Sequence, residues 1–185
     1  MGLWDRFLPD DVLPDVYGVT PSFCAERGIR AVVFDIDNTL VPYDVPVPDE
    51  KLKAHLLSFP AAGIGVALVS NNKKERVETF DRDLGFFAVA DAKKPNRDAL
   101  APVLAHFSPH AGQAVLLVGD QLFTDVLTAR KNGVRVVTVP PIKPRENLFF
   151  RFKRALEKPL YRRFYRQRNK VKTARTNTGR GEKTR

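Results

Sequence analysis

This chain of 185 residues has one cysteine, one methionine and one tryptophan. A single cysteine, Cys24, excludes an intrachain disulfide, so stability has to come from a packed core, for which the length is sufficient. Cys24 has no histidine near it and reads as a buried or half-buried small residue. No run approaches the roughly 18 apolar residues of a membrane-crossing helix. The opening residues, Met1-Gly-Leu-Trp-Asp-Arg-Phe-Leu, lack the basic segment and apolar stretch of a secretory leader, so a cytoplasmic protein is expected. There is no internal repeat. The histidines His55, His106 and His110 show no metal-ligand spacing and read as surface or helix residues. Acidic residues are scarce at one end. Residues 151–185 carry 14 Lys or Arg against two Glu, a net of +12, which leaves the preceding residues at −2 within the total of +10.

The stretch that carries chemistry is Ala31-Val-Val-Phe-Asp-Ile-Asp-Asn-Thr-Leu40. It reads as an apolar strand ending in two carboxylates, Asp35 and Asp37. Two positions apart in an extended chain places them on the same side. Such neighbours repel unless a cation sits between them, and the simplest partner is a hard divalent ion such as Mg2+, held by oxygen ligands. Asp, Asn and Thr also suit an Asx-type turn, which is the plainer reading of a lone D-x-D.

Three further pieces follow in order. Gly65-Val-Ala-Leu-Val69 is a short apolar strand ending in Ser70-Asn71-Asn72. A hydroxyl, amides and loop N–H groups there suit a phosphate, as they also suit an ordinary loop and helix cap. Ala92-Lys93-Lys94-Pro95 brings a lysine, Lys94, that can neutralise phosphate charge, its backbone biased toward extended by the proline. A Lys-Lys pair alone equally suits a solvated surface. Ala114-Val-Leu-Leu-Val-Gly-Asp-Gln-Leu-Phe-Thr-Asp125 is a third apolar strand, ending in Gly119-Asp120. Gly119 is expected to let the backbone turn sharply. Asp120 can complete a metal's oxygen shell, and Asp125 can ligate through water or orient the other groups.

In this order the motifs resemble those of the haloacid dehalogenase superfamily of phosphohydrolases, over roughly residues 15–142. Asp-Asn-Thr-Leu-Val, Val-Ser-Asn-Asn, Ala-Lys-Lys-Pro and Val-Gly-Asp-Gln-Leu-Phe-Thr-Asp, with Phe7-Leu8-Pro9 near the start, resemble its YqeG branch. That branch is grouped with capless phosphatases and is related to phosphatidylglycerophosphate phosphatases. The resemblance implies that Asp35 is the nucleophile of an aspartyl-phosphate mechanism and Asp37 the general acid and then base. It implies Mg2+ held by the Asp35 carboxylate, the Asp37 backbone carbonyl and Asp120, with Asp125 in the metal's shell. Ser70, the Asn71 backbone N–H and Lys94 would hold the phosphoryl group. Thr39 either supports the Asp35 loop or takes part in catalysis. The expected reaction is hydrolysis of a phosphomonoester, with phosphatidylglycerophosphate as the substrate the branch suggests. The alternatives are a soluble ester, a nucleic-acid end, or a basic RNA- or ribosome-binding protein with a secondary phosphatase site.

The element pattern agrees. Strands are expected at 30–35, 65–69, 86–89, 114–118 and 135–139, and helices near 49–59, 73–84, 96–107 and 123–132, the third capped by Asn96. Alternation of this kind predicts an α/β fold, a three-layer α/β/α sandwich around a parallel sheet, with ligands beyond the carboxyl ends of the strands. Asp35 and Ser70 are 35 positions apart, and Ser70 and Lys94 are 24 apart. Neither gap holds a cap domain of about 50 residues. The site should therefore be open, suited to a phosphate on a bulky object such as a lipid headgroup.

Residues 1–147 are expected to form the phosphatase domain, 148–172 a basic aromatic helical segment, and 173–185 a disordered basic tail. Leu148-Phe-Phe-Arg-Phe-Lys-Arg-Ala-Leu156 and Leu160-Tyr-Arg-Arg-Phe-Tyr165 interleave basic and aromatic residues. That composition suits packing on the domain with a solvated tail, an anionic membrane surface, or, less well, nucleic acid. Attachment at the inner face of the membrane follows from the second reading. Trp4, Phe7 and Leu8 offer a second interfacial patch or pack over the sheet. Nothing in the sequence indicates an oligomeric state.

Overall fold

The computed structural model describes residues 3–108, 112–143 and 155–166. The chain divides into two compact units, Pro9–Pro144 and a second made of Met1–Leu8 with Arg145–Arg185.

In Pro9–Pro144, six parallel strands form one sheet in the order β1-β6-β5-β2-β3-β4. They are β1 (Asp11–Val12), β2 (Ala31–Phe34), β3 (Gly65–Val69), β4 (Phe87–Val89), β5 (Val115–Gly119) and β6 (Arg135–Thr138). Val33 lies between Ala67 of β3 and Leu117 of β5. Every residue of β2 and β5 is buried, so both faces of the sheet centre are covered, as near-continuous apolar runs in a parallel sheet require. One face (Val32, Phe34, Leu68, Leu116, Val118, Val137) joins a core with Leu52, Leu56 and Phe59 of α2 (Glu50–Ala61) and Val77 and Phe80 of α3 (Lys74–Asp81). Alternation sends Val33, Ala67, Val69, Leu117 and Val136 to the other face. The remaining buried apolar residues, among them Leu100, Val103, Leu122, Val126 and Ala129, come from the segments around α4 (Ala101–His106) and α5 (Leu127–Lys131). This is the expected three-layer sandwich.

The chain runs from β2 outward to β3 and β4, then crosses back to β5 on the other side of β2 and on to β6. Connections leaving β2 and β5 therefore diverge, and a crevice opens between their carboxyl ends. Only the Pro-bearing loop and α2 lie between Asp37 and β3, and only α3 and β4 between Ser70 and Lys94. Among the described residues, no cap domain is inserted between these motifs.

Local signals explain the elements and their departures from expectation. Asp49 caps α2, accepting the Leu52 N–H at 2.8 Å, and the helix buries positions 52, 56 and 59. The expected helix 96–107 is split into a 3-10 turn, Arg97–Leu100, and α4, with Pro102 in the first turn of α4, where its missing N–H costs nothing. Asn96 occupies the cap position without a side-chain cap hydrogen bond. The expected helix 123–132 begins as a wider π-helical turn, Leu122–Val126, before α5. The sequence reading did not include β1. Asp10 secures it at the sheet edge by accepting the Val136 N–H at 2.7 Å and pairing with Arg130 at 2.8 Å. Cys24 is fully buried, and burial pushes its thiol up to about 11. His55 and His106 lie in α2 and α4, packed on aromatic rings, and His110 is outside the described residues.

In the second unit, residues 155–166 form a helix, α6, with Glu157, Leu160 and Phe164 buried and Leu156 and Tyr165 exposed. Arg163 pairs with Asp5 at 3.2 Å, Trp4 is exposed and Leu8 is buried. The expected tail, 173–185, and residues 148–154 lie outside the described residues.

A Cβ added at Gly65 would lie 2.5 Å from the Phe107 ring. Gly65→Ala is therefore expected to cost about 1–3 kcal/mol in urea unfolding. In a Phe107→Leu background the cost should shrink, which separates crowding from loss of glycine itself.

Candidate active site

The loops after β2, β3, β4 and β5 bring the motif residues together. Asp35 follows β2 directly, and its N–H still bonds the Val118 carbonyl at 2.9 Å, so the sheet ladder fixes its backbone. Its carboxylate is buried. Oδ1 accepts a hydrogen bond from the Lys94 ammonium at 2.7 Å and Oδ2 one from the Thr39 hydroxyl at 2.9 Å. Lys94 also donates to Asp125 Oδ1 at 2.7 Å. The other Asp125 oxygen accepts the Gln121 N–H at 3.1 Å, within the π-helical turn. Asp120 is buried beside them, and Asp35, Asp120 and Asp125 each offer an oxygen within 4.8 Å of the others.

Gly119 is required for a reason other than the sharp turn expected of it. A Cβ there would fall 2.5 Å from Asp125 Oδ2. The bare backbone makes room for the carboxylate to lie against the end of β5.

Lys94 is held by Asn71. The Asn71 Oδ1 accepts the Lys94 N–H at 2.6 Å, and Nδ2 donates to the Lys94 carbonyl at 2.9 Å. This two-way clasp ties the β3 loop to the β4 loop. The sequence reading turned Asn71 toward phosphate and gave its side chain no part in holding Lys94.

Asp37 belongs to an adjoining cluster. It accepts from Arg76 Nη2 at 3.1 Å, from Asn72 Nδ2 at 3.2 Å and from the Ser70 hydroxyl at 3.4 Å. Ser70 is itself buried and accepts the Asn72 N–H at 3.0 Å. Arg76 also donates to the carbonyls of Val45 and Pro46, each at 2.8 Å, so one guanidinium fastens the Pro-bearing loop to Asp37. Sequence reasoning missed Arg76. It sits in the polar run Lys73-Lys74-Glu75-Arg76, which reads as a solvated helix face.

Two buried carboxylates, Asp35 and Asp125, share the Lys94 ammonium, with Asp120 buried nearby. Burial pushes the Asp35 carboxyl up to about 6; Lys94 and the Thr39 hydroxyl pull it down, while the Asp125 charge adds to the rise. Burial would pull Lys94 down, but Asp125 and Asp35 outweigh it and hold the ammonium above its ordinary value. Burial is the main cause of the Asp35 shift and the two carboxylates of the Lys94 shift; a hard cation would suit these oxygen ligands.

The family model described as "Mitochondrial PGP phosphatase" matches residues 5–143. The chain belongs to this family. It is a phosphatase of the YqeG and PGP phosphatase type. It is 33% identical over 152 residues to "Probable phosphatase YqeG" of Bacillus subtilis, covering 82% of this chain and 88% of that one. It is 28% identical over 144 residues to "Phosphatidylglycerophosphate phosphatase 1, chloroplastic" of Chlamydomonas reinhardtii, covering 73% of this chain and 53% of that protein. The chain thus spans about half the length of the algal relative. A solved structure, an uncharacterized protein from Listeria monocytogenes serotype 4b, shares the fold. Its TM-score is 0.50 and its identity 16%, over 64% of this chain and 85% of that one. No helix among the described residues is long and apolar enough to cross a membrane.

Arg76 and Asp37 are both largely shielded from water. Arg76→Met removes the cation that pairs with Asp37 and the donor of two loop carbonyls, and is expected to cost roughly 3 kcal/mol in urea unfolding. A loss under 0.5 kcal/mol would show that the guanidinium does not fasten the loop.

Proposed function

We propose that this chain hydrolyses phosphomonoesters through an aspartyl-phosphate on Asp35, with phosphatidylglycerophosphate as substrate. The observation that carries the reading is the buried cluster in which Asp35 and Asp125 grip Lys94 beside Asp120, at the mouth of the β2/β5 crevice. The donor set fits Mg2+: hard carboxylate oxygens that lie close together. Asp35, Asp120, Asp125 and the Asp37 backbone carbonyl would hold the ion. Bound there, it supplies the positive charge that lets a carboxylate approach a phosphate.

The remaining steps belong to the chain's own residues. The Asp35 carboxylate attacks phosphorus, forming the acyl-phosphate bond as the ester bond breaks. Protonated Asp37 gives its proton to the leaving oxygen, so the alcohol departs neutral. The Asp37 carboxylate then takes a proton from water, whose oxygen attacks phosphorus. The Asp35–phosphorus linkage breaks and free phosphate leaves. Lys94, Ser70 and the Asn71 N–H hold the phosphoryl oxygens and offset their charge.

Three observations support the lipid substrate. The family description names PGP, the algal relative's name gives phosphatidylglycerophosphate, and no cap domain is inserted between Asp37 and Lys94. We place residues 1–147 in the phosphatase domain and assign 148–172 to an anionic membrane surface. In the described part of that segment, Leu156 and Tyr165 are exposed alongside Lys158, Arg162 and Arg166.

The direct test is phosphate release from phosphatidylglycerophosphate in mixed micelles. Release should exceed that from soluble esters, stop with chelator and return with Mg2+. Release from soluble esters alone would remove the lipid substrate. Asp35→Asn should abolish turnover. Asp37→Asn should slow the alkyl ester about 10²–10⁴-fold and p-nitrophenyl phosphate far less, because that leaving group needs no proton. Equal losses on both would take the acid role from Asp37.

A further inference from the structure

Beside the catalytic loop lies an apolar pocket of about 540 Å³ that the chemistry above does not use. Its walls include Val16, Leu40, Val45, Val47, Leu52 and Ile142. Its two carboxylates, Asp15 and Asp49, are engaged as caps, accepting the N–H groups of Gly18 and Leu52 at 3.2 and 2.8 Å. What faces a guest is mostly hydrocarbon.

Two further observations connect this pocket to the site and to an apolar ligand. The first is continuity. Thr39 lines the pocket and donates its hydroxyl to the Asp35 carboxylate. The Ile142 N–H bonds the Asn38 carbonyl at 3.1 Å, so the pocket's far wall is fastened to the same loop. The second is the rim. Among the described residues of Pro9–Pro144, the exposed large hydrophobic side chains are Tyr43, Val47, Leu57 and Ile142. Three of the four sit on the two segments that border this pocket. Val47 is 45% exposed and Ile142 49%. Scattered apolar side chains need no explanation, but a cluster around an apolar cleft next to a reactive centre does.

We propose that this pocket receives the start of an acyl chain of the lipid phosphate while the headgroup's terminal phosphate lies at Asp35. The inference rests on the lipid reading above and adds where the apolar part of the substrate binds. Hydrocarbon leaving the bilayer then stays in hydrocarbon, and the Tyr43, Val47 and Ile142 rim meets the interface. The volume accommodates the first methylenes of one chain rather than a whole diacyl lipid, so the rest of the lipid remains in its own layer.

The test uses the full chain and monomeric substrates: glycerophosphoglycerophosphate, which lacks acyl groups, and phosphatidylglycerophosphates with two acetyl, butanoyl or hexanoyl chains. The expected result is that kcat/KM rises along the series, by up to about fourfold for each methylene buried. Val47→Asp and Ile142→Asp, both at exposed positions that tolerate a charge, should flatten that rise and lower the hexanoyl-to-deacylated ratio at least tenfold. A flat series in the unaltered protein, with the headgroup alone hydrolysed as fast, overturns the pocket and leaves the lipid reading standing. A rise that both variants retain also overturns it. If no member of the series is hydrolysed while p-nitrophenyl phosphate is, the lipid reading itself fails and the pocket assignment falls with it.

Discussion

The Lys94 ammonium, gripped at 2.7 Å by both Asp35 and Asp125, is the contact on which the rest of this site depends. Each of the three groups is buried, and none would be tolerated there alone. Each also arrives from a different strand end, so the contact exists only if the surrounding loops are set correctly. Asn71 clasps the Lys94 backbone from both sides. The π-helical turn offers an N–H to Asp125, and Gly119 leaves it room. The sheet ladder fixes Asp35 through Val118. Burial pushes the Asp35 carboxyl up despite the lysine. The clustered carboxylate oxygens are why a divalent cation belongs in the account.

The sheet order determines where that charge gathers. Because β2 leads to β3 on one side and β5 leads to β6 on the other, no connection covers the gap between their carboxyl ends. Asp35 and Asp120 leave from those two ends. Short gaps between the motifs leave no room for an inserted cap domain. The Pro-bearing loop, fastened to Asp37 by Arg76, is what stands beside it.

Much of this was legible in the sequence, for physical reasons that also explain the omissions. The central strands are buried on both faces, so they appear as unbroken apolar runs at 31–34, 65–69 and 115–118. Carboxylates and a hydroxyl directly after such runs, and the Lys-Lys-Pro of the loop after β4, are visible as motifs, and the structure brings Asp35, Asp120, Asp125 and Lys94 together and sets Asp37 with Ser70 beside them. What was not legible depends on tertiary contact. β1 has two residues, too few for any period, and is held at the edge by Asp10. Arg76 is chemically like its neighbours Lys73 and Lys74, and only folding turns it toward Asp37. The Asn71 side chain and the need for glycine at 119 are likewise set by what lies across the loop. Pro102 marked the break before α4, although the apolar spacing around it suggested one continuous helix.

The most direct measurement traps the covalent state. Protein mixed with Mg2+ and a phosphatidylglycerophosphate substrate is quenched within one turnover, reduced with borohydride, and mapped by peptide mass spectrometry. An acyl-phosphate is converted to homoserine, so the account predicts homoserine in place of Asp35 and unaltered Asp37, Asp120 and Asp125. Continued phosphate release with unmodified Asp35, or modification at another carboxylate, would contradict it.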